Sequence, residues 1–276
     1  MPELPEVEIV TRSLNKIVSN RRIVSAQLLR ARLAPDTTPK KFARQLAGSS
    51  PNFVHRRGKH VLFDLDNART LITHLRMSGK FMLLDADTLD PKFTHAVLYF
   101  DDGTRLVFQD QRHFGLMKIV DTAKLNEANE IKKLAPEPMT DAFSYEYLRA
   151  TLQTSKRSLK EVLLDQTKVC GLGNIYAAEA MFLSRVNPRT IANKLSKPKT
   201  GALLDNIRLV LSEAVELGST MPVVPHDIGG SIYGNGSDWE WRVYDREEQP
   251  CINCSSLIVR IVQGGRSTYF CRKCQR

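Results

Sequence analysis

The sequence predicts an α+β protein of two domains. The first is a β-sandwich or flattened barrel with flanking helices, and the second is helical and ends in a small four-cysteine metal unit. Three observations predict this. Period-two alternation dominates residues 22 to about 120, helical periods follow a proline-rich break at Leu134-Ala135-Pro136-Glu137-Pro138, and two Cys-x-x-Cys pairs close the chain. A length of 276 residues suits two moderate domains. The boundaries fall at residues 1–133, a linker 134–142, a helical domain 143–246 and a metal-bound unit 247–276.

Taken in order, residues 5–18 read as a helix, because Val7, Val10, Leu14, Ile17 and Val18 share one face. His60 to Asp66 alternates Val61, Phe63 and Leu65 on one side, as a half-buried strand does. Ala96 to Asp110 reads as a hairpin turning at Asp101-Asp102-Gly103. Beyond the break, Ser158 and Glu161 form a Ser-x-x-Glu capping box that opens a helix through about Asp165. Asn174 is placed to cap a helix over 175–184, and a longer helix covers about 199–217 with Gly218 as its stop. Residues 219–246 carry no clear period and read as loop with a short hairpin.

Forty Lys and Arg stand against thirty Asp and Glu, a net charge of +10 with a pI near 9.4. That surplus points to a polyanionic partner, most often nucleic acid. Residues 1–20 lack the uncharged apolar core of a signal peptide, and no run approaches the roughly 18 apolar residues of a membrane span. A cytoplasmic protein is expected.

Cys251-x-x-Cys254 and Cys271-x-x-Cys274 are sixteen residues apart, the spacing of two knuckles around one tetrahedral Zn2+. A site of four cysteines has no open coordination position, so the zinc is expected to be structural. Two disulfides would suit an oxidising compartment instead. Arg260, Arg266, Arg272, Lys273 and Arg276 lie between or after these cysteines, and no acid occurs from Cys251 to Arg276. Gln263-Gly264-Gly265-Arg266 reads as a hairpin tip that presents Arg266 to a phosphate or a groove edge, against the plainer reading of a solvated basic surface.

The chain begins Met1-Pro2-Glu3-Leu4-Pro5-Glu6. Removal of Met1 would leave Pro2 with a free secondary amine. Attack of that amine on an aldehyde-level carbon gives an iminium, and nearby carboxylates can move the protons. An acidic helix start would read the same. Arg56-Arg57-Gly58-Lys59 sets Lys59 just before a strand, where it could bind phosphate or reach a reacting centre as a catalytic residue, against the plainer reading of a basic turn. His74 and Arg76 stand beside Met77, and Arg112 and His113 beside Phe114. Apolar side chains flanked by cations suit insertion into a base stack, although Met77 and Phe114 would ordinarily be core. Gly171-Leu172-Gly173-Asn174 leads into a helix as an anion-binding turn does, and a plain interhelical turn would look alike.

Six motifs, in order and over nearly the whole chain, resemble the formamidopyrimidine-DNA glycosylase family of bacterial base-excision repair. They are Pro2 to Glu8, Arg57-Gly58-Lys59, His74-Leu75-Arg76-Met77, Arg112-His113-Phe114-Gly115, Gly171 to Tyr176, and Gly265 to Cys271. The resemblance implies a two-layer β-sandwich, a helix–two-turn–helix domain with a zinc finger, and double-stranded DNA carrying oxidised bases or abasic sites in a cleft between the halves. It also implies a nucleoid-associated monomer.

For individual residues it implies that Pro2 is the nucleophile, Glu3 the acid–base residue and Glu6 its support. Met77, Arg112 and Phe114 fill the gap left by a flipped nucleotide. Lys59, His74, Asn174 and Arg266 grip phosphates, and Lys160 helps. The family's segment 219–246 covers the extruded base. Here Gly218 to Pro225 has two prolines and lacks the usual arginine–tyrosine pairing, and the lead-in Val243 to Pro250 also departs from the pattern, which leaves base selection open. An endonuclease VIII-like enzyme for oxidised pyrimidines and a non-catalytic DNA-binding zinc protein remain alternatives. Leu4 and the split wedge favour the purine branch, and retention of Met1 would favour the non-catalytic reading.

Overall fold

The structure, a computed structural model, describes residues 1–216 and 241–276. Gly218 and most of the expected covering loop lie outside the described residues. Two compact units form, one of Met1–Lys132 and one that takes in 133–216 and 241–276.

The first unit opens with α1 (Leu4–Val18), whose buried Val7, Val10, Leu14 and Val18 are the stripe expected from the sequence. Then come β1 (Ile23–Leu28), α2 (Pro39–Leu46), β2 (Pro51–Arg57), β3 (His60–Leu65), β4 (Arg69–His74), β5 (Gly79–Leu84), β6 (Thr94–Phe100), β7 (Arg105–Asp110) and β8 (Leu116–Asp121). The strands make two antiparallel sheets of four, ordered β1-β6-β7-β5 and β2-β3-β4-β8. Val61, Phe63, Leu71 and Met117 of one sheet join Phe81, Leu98, Leu106 and Phe108 of the other in a single core, closed by α1 and by Phe42 and Leu46 of α2. This is a β-sandwich. Burying an apolar side chain of that size stabilises by about 1.5–3 kcal/mol.

Two connections link the sheets at one end of the sandwich. Residues 75–78 cross from β4 in one sheet to β5 in the other, and residues 111–115 return from β7 to β8. Register sets Gly79 opposite Asp110 and His74 opposite Leu116, so the two crossings run side by side.

The second unit holds α3 (Tyr145–Gln153), α4 (Leu159–Leu163), α5 (Asn174–Leu183), α6 (Lys197–Glu216) and the hairpin of β9 (Val259–Gln263) with β10 (Arg266–Phe270). The Ser158–Glu161 capping box forms as expected. The cap of α5 is Gly173, and Asn174 is the first helical residue. This corrects the sequence reading: with glycine in extended backbone at the cap, the helix starts one residue earlier and Asn174 points its amide elsewhere. Ala178 and Phe182 of α5 pack with Val243, Cys251, Ile258, Tyr269 and Cys271, so the terminal unit is built onto a helix face.

Candidate functional site

Glu3 caps α1 with extended backbone (φ −102°, ψ −170°), which turns Pro2 off the helix axis. A reciprocal capping box holds it. The Glu3 side chain accepts from the Glu6 amide, and the Glu6 carboxylate accepts from the Glu3 N–H at 2.7 Å. Pro2, Glu3 and Glu6 are all buried.

Lys59 stands at the tip of the β2–β3 hairpin, behind Gly58 with φ 58°. A positive φ at this turn is what glycine supplies. Arg56 donates to Glu8 on α1 at 2.9 Å and to the Gly58 carbonyl at 2.9 Å, tying the hairpin tip to the helix that carries Glu3. Lys59 is buried, so its ammonium is held rather than dangling.

His74 ends β4 in register with His60, the rings edge to face at 4.6 Å. The Arg76 amide donates to His74 Nδ1 at 2.9 Å. That nitrogen is therefore unprotonated, and a neutral ring carries its proton on Nε2. Burial, then the neighbouring His60, Arg76 and Lys59, lower the His74 pKa to about 2. Burial also lowers His60 to about 4, against its hydrogen bond to the Arg57 carbonyl. At neutral pH His74 is thus a neutral ring with its proton on Nε2, while the proton of neutral His60 is on Nδ1 and donated to the Arg57 carbonyl.

Met77 and Phe114, which as ordinary hydrophobics would be core, are 39% and 49% exposed at the two crossings. The Arg112 guanidinium lies 5.5 Å over the Phe114 ring. Arg76 is exposed beside Met77. Sequence reasoning misses the side chain that joins these turns, Asp110. It bonds the amide two residues on, a pattern that an aspartate ending a strand before a turn could signal.

In the second unit, Arg266 is exposed at a two-residue Gly264-Gly265 turn with φ of 56° and 72°. Asn174 donates its amide to the Ser267 carbonyl at 3.1 Å. Lys160, expected to help grip a phosphate, is 0% exposed and donates to the same carbonyl at 2.7 Å and to Thr268 Oγ1. Its ammonium is enclosed within the protein, where it holds the hairpin beside Arg266. Glu179, which no sequence motif marks, is buried and accepts from the amides of Arg242, Val243 and Tyr244 at 2.9–3.0 Å. It fixes the lead-in to the finger.

The sulfur atoms of Cys251, Cys254, Cys271 and Cys274 lie within 4.8 Å of one another, with pairs at 3.5 and 3.9 Å. Four sulfurs about 2.3 Å from one zinc stand about 3.8 Å apart, so the set fits a tetrahedral structural Zn2+. Among the described residues no helix is long and apolar enough to cross a membrane.

Comparison with known proteins agrees with this layout. Residues 1–117 match the model of the formamidopyrimidine-DNA glycosylase N-terminal domain, 134–224 that of the formamidopyrimidine-DNA glycosylase H2TH domain, and 248–276 the zinc finger found in FPG and IleRS. A formamidopyrimidine-DNA glycosylase of Bacillus subtilis is 39% identical over 278 residues, covering 100% of this chain and 99% of its own. The Lactococcus lactis Fpg bound to abasic site containing DNA superposes with a TM-score of 0.91 at 32% identity over 99% of both chains. The same protein bound to N7-benzyl-Fapy-dG containing DNA gives 0.92 at 32% over the whole of both.

Proposed function

Because the chain belongs to the formamidopyrimidine-DNA glycosylase family, we propose that it excises oxidised purines, 8-oxoguanine and formamidopyrimidines, from duplex DNA and then cleaves the strand as a lyase. The observation that carries this reading is the reciprocal Glu3–Glu6 cap directly behind Pro2. Once Met1 is removed, that helix end would carry a secondary amine beside a buried carboxylate.

With Met1 removed, the lesion nucleotide leaves the duplex at a cost of a few kcal/mol. Pro2 N attacks C1′, the bond to the base breaks, and Glu3 delivers a proton to the sugar oxygen as the ring opens. The resulting iminium draws electrons from C2′. Loss of a C2′ proton expels the 3′ phosphate, a second elimination expels the 5′ phosphate, and water releases the sugar remnant from Pro2. Glu6 holds Glu3. Lys59, His74 as a neutral Nε2–H donor, Asn174 and Arg266 take phosphates, while Met77, Arg112 and Phe114 fill the vacated stack. The finger zinc, held by its four thiolates, keeps the Arg266 hairpin folded. A substrate of duplex DNA would set this work at the bacterial nucleoid.

The test is release of free base and strand scission from matched duplexes. Cleavage at 8-oxoguanine opposite cytosine, with phosphates on both new ends, supports the reading. Cleavage confined to oxidised pyrimidines moves the substrate to the endonuclease VIII-like alternative. Binding with no cleavage of either leaves a DNA-binding zinc protein.

A further inference from the structure

The turns that carry Met77 and Phe114 are more than thirty residues apart, yet one carboxylate holds both. Asp110 is fully buried at the end of β7. Its Oδ1 accepts from the Ser78 hydroxyl at 2.5 Å and from the Arg112 amide at 3.2 Å, and its Oδ2 accepts from the Gly115 amide at 2.7 Å. Ser78 Oγ in turn accepts from the Arg112 amide at 3.0 Å. One side chain therefore reaches the residue after Met77, the residue two before Phe114 and the residue after Phe114.

Packing repeats the pattern. A Cβ on Gly79 would stand 2.7 Å from the Phe108 ring and 2.5 Å from the Leu75 carbonyl oxygen, and one on Gly115 would stand 2.8 Å from the same ring. Both turns are thus pressed on Phe108, two residues before Asp110. The residues just ahead of the two exposed apolar side chains, Arg76 and His113, have φ of 55° and 61°. That left-handed backbone is unfavourable for residues with a Cβ and persists only where the surroundings impose it.

We propose that Asp110 and Ser78 form a lock that makes the two turns one rigid wedge, so that Met77 and the Arg112–Phe114 pair enter the base stack together. Asp110 and Ser78 are positioning residues for opening the duplex and take no part in breaking bonds. A wedge already ordered loses little freedom on insertion, whereas two loose turns would each have to be ordered against the stack. The proposal rests on the reading that Met77, Arg112 and Phe114 fill the gap in the DNA.

The experiment uses the full chain and a duplex with 8-oxoguanine opposite cytosine and 2-aminopurine as the neighbouring base. The 2-aminopurine brightens when unstacked. Ser78→Ala and Asp110→Asn are expected to slow that rise, and base release, by about tenfold, because they act on the costly opening step. Strand scission at a preformed abasic site, which is unpaired already, should slow by less than about threefold. Ser78→Thr, which keeps the hydroxyl, should return the rise to within about twofold of wild type. The double variant Met77→Ala with Ser78→Ala should be no slower than roughly the slower single one, because the two act through one wedge.

A wild-type rise in Ser78→Ala alongside a slow one in Met77→Ala would overturn the lock while leaving the wedge. Unchanged rises in both Met77→Ala and Phe114→Ala would overturn the wedge reading itself, and the lock with it. Thermal unfolding identifies a variant that fails to fold; should Asp110→Asn do so, the Ser78→Ala and Ser78→Thr pair decides alone.

Discussion

The ammonium of Lys160 on α4 donates to the carbonyl oxygen of Ser267 on β10 at 2.7 Å, across 107 residues of sequence. Asn174 donates to the same oxygen, and the lysine also donates to Thr268 Oγ1. A charge with no access to water needs such partners to be tolerated at all. The residue next to this anchor is Arg266, so a buried cation sets the place of an exposed one.

The two cations should therefore separate in a salt titration. Arg266→Ala should weaken duplex binding and lower the slope of log affinity against log salt by about one, as loss of a phosphate contact does. Lys160→Met should destabilise the protein by about 1.5–3 kcal/mol and weaken binding with the salt slope unchanged. An equal fall in slope for both would return Lys160 to the interface.

The first unit should lose stability in mild acid. Both His60 and His74 have folded-state pKa values, about 4 and about 2, below the usual 6.5. Below pH 6.5 the unfolded chain binds protons that the folded chain refuses, so unfolding gains as pH falls. Each histidine contributes up to about 1.4 kcal/mol per pH unit, His60 down to about pH 4 and His74 below that. Urea titrations between about pH 7 and pH 4 should show the slope, and His60→Gln should reduce it. A slope unaltered by that change would contradict the buried, neutral pair.

Much of this was legible in the sequence because periodicity and spacing are local. The stripe of α1, the hairpin at Asp101-Asp102-Gly103, the Ser158 box and the four cysteines each signal themselves within a few residues or by a fixed interval. Asp110, Glu179 and Lys160 were not legible in the same way. Asp110 has local partners in Arg112 and Gly115, but only strand register or helix packing brings Ser78 to it, Val243 to Glu179 and Ser267 to Lys160. Met77 and Phe114 are apolar residues whose exposure comes from their place on a crossing between sheets.

Zinc should be part of the fold of the terminal unit. The protein should contain about one equivalent, and Cys254→Ser should remove it and abolish tight duplex binding while the β-sandwich remains folded. Full zinc content in Cys254→Ser would contradict the four-thiolate site.

Pro2→Gly should slow both base release and strand scission by more than about tenfold, since a primary amine with greater backbone freedom replaces a fixed secondary one. Duplex affinity should hold, because Lys59, His74 and Arg266 are untouched. Unchanged nicking would contradict the role given to Pro2.

The most direct measurement is borohydride trapping on a duplex with 8-oxoguanine opposite cytosine, followed by mass mapping of the adduct. The expected product is a covalent protein–DNA species joined through the nitrogen of Pro2, with Met1 absent. An adduct joined through a lysine instead, or none on a duplex that the protein cleaves, would contradict the N-terminal amine mechanism.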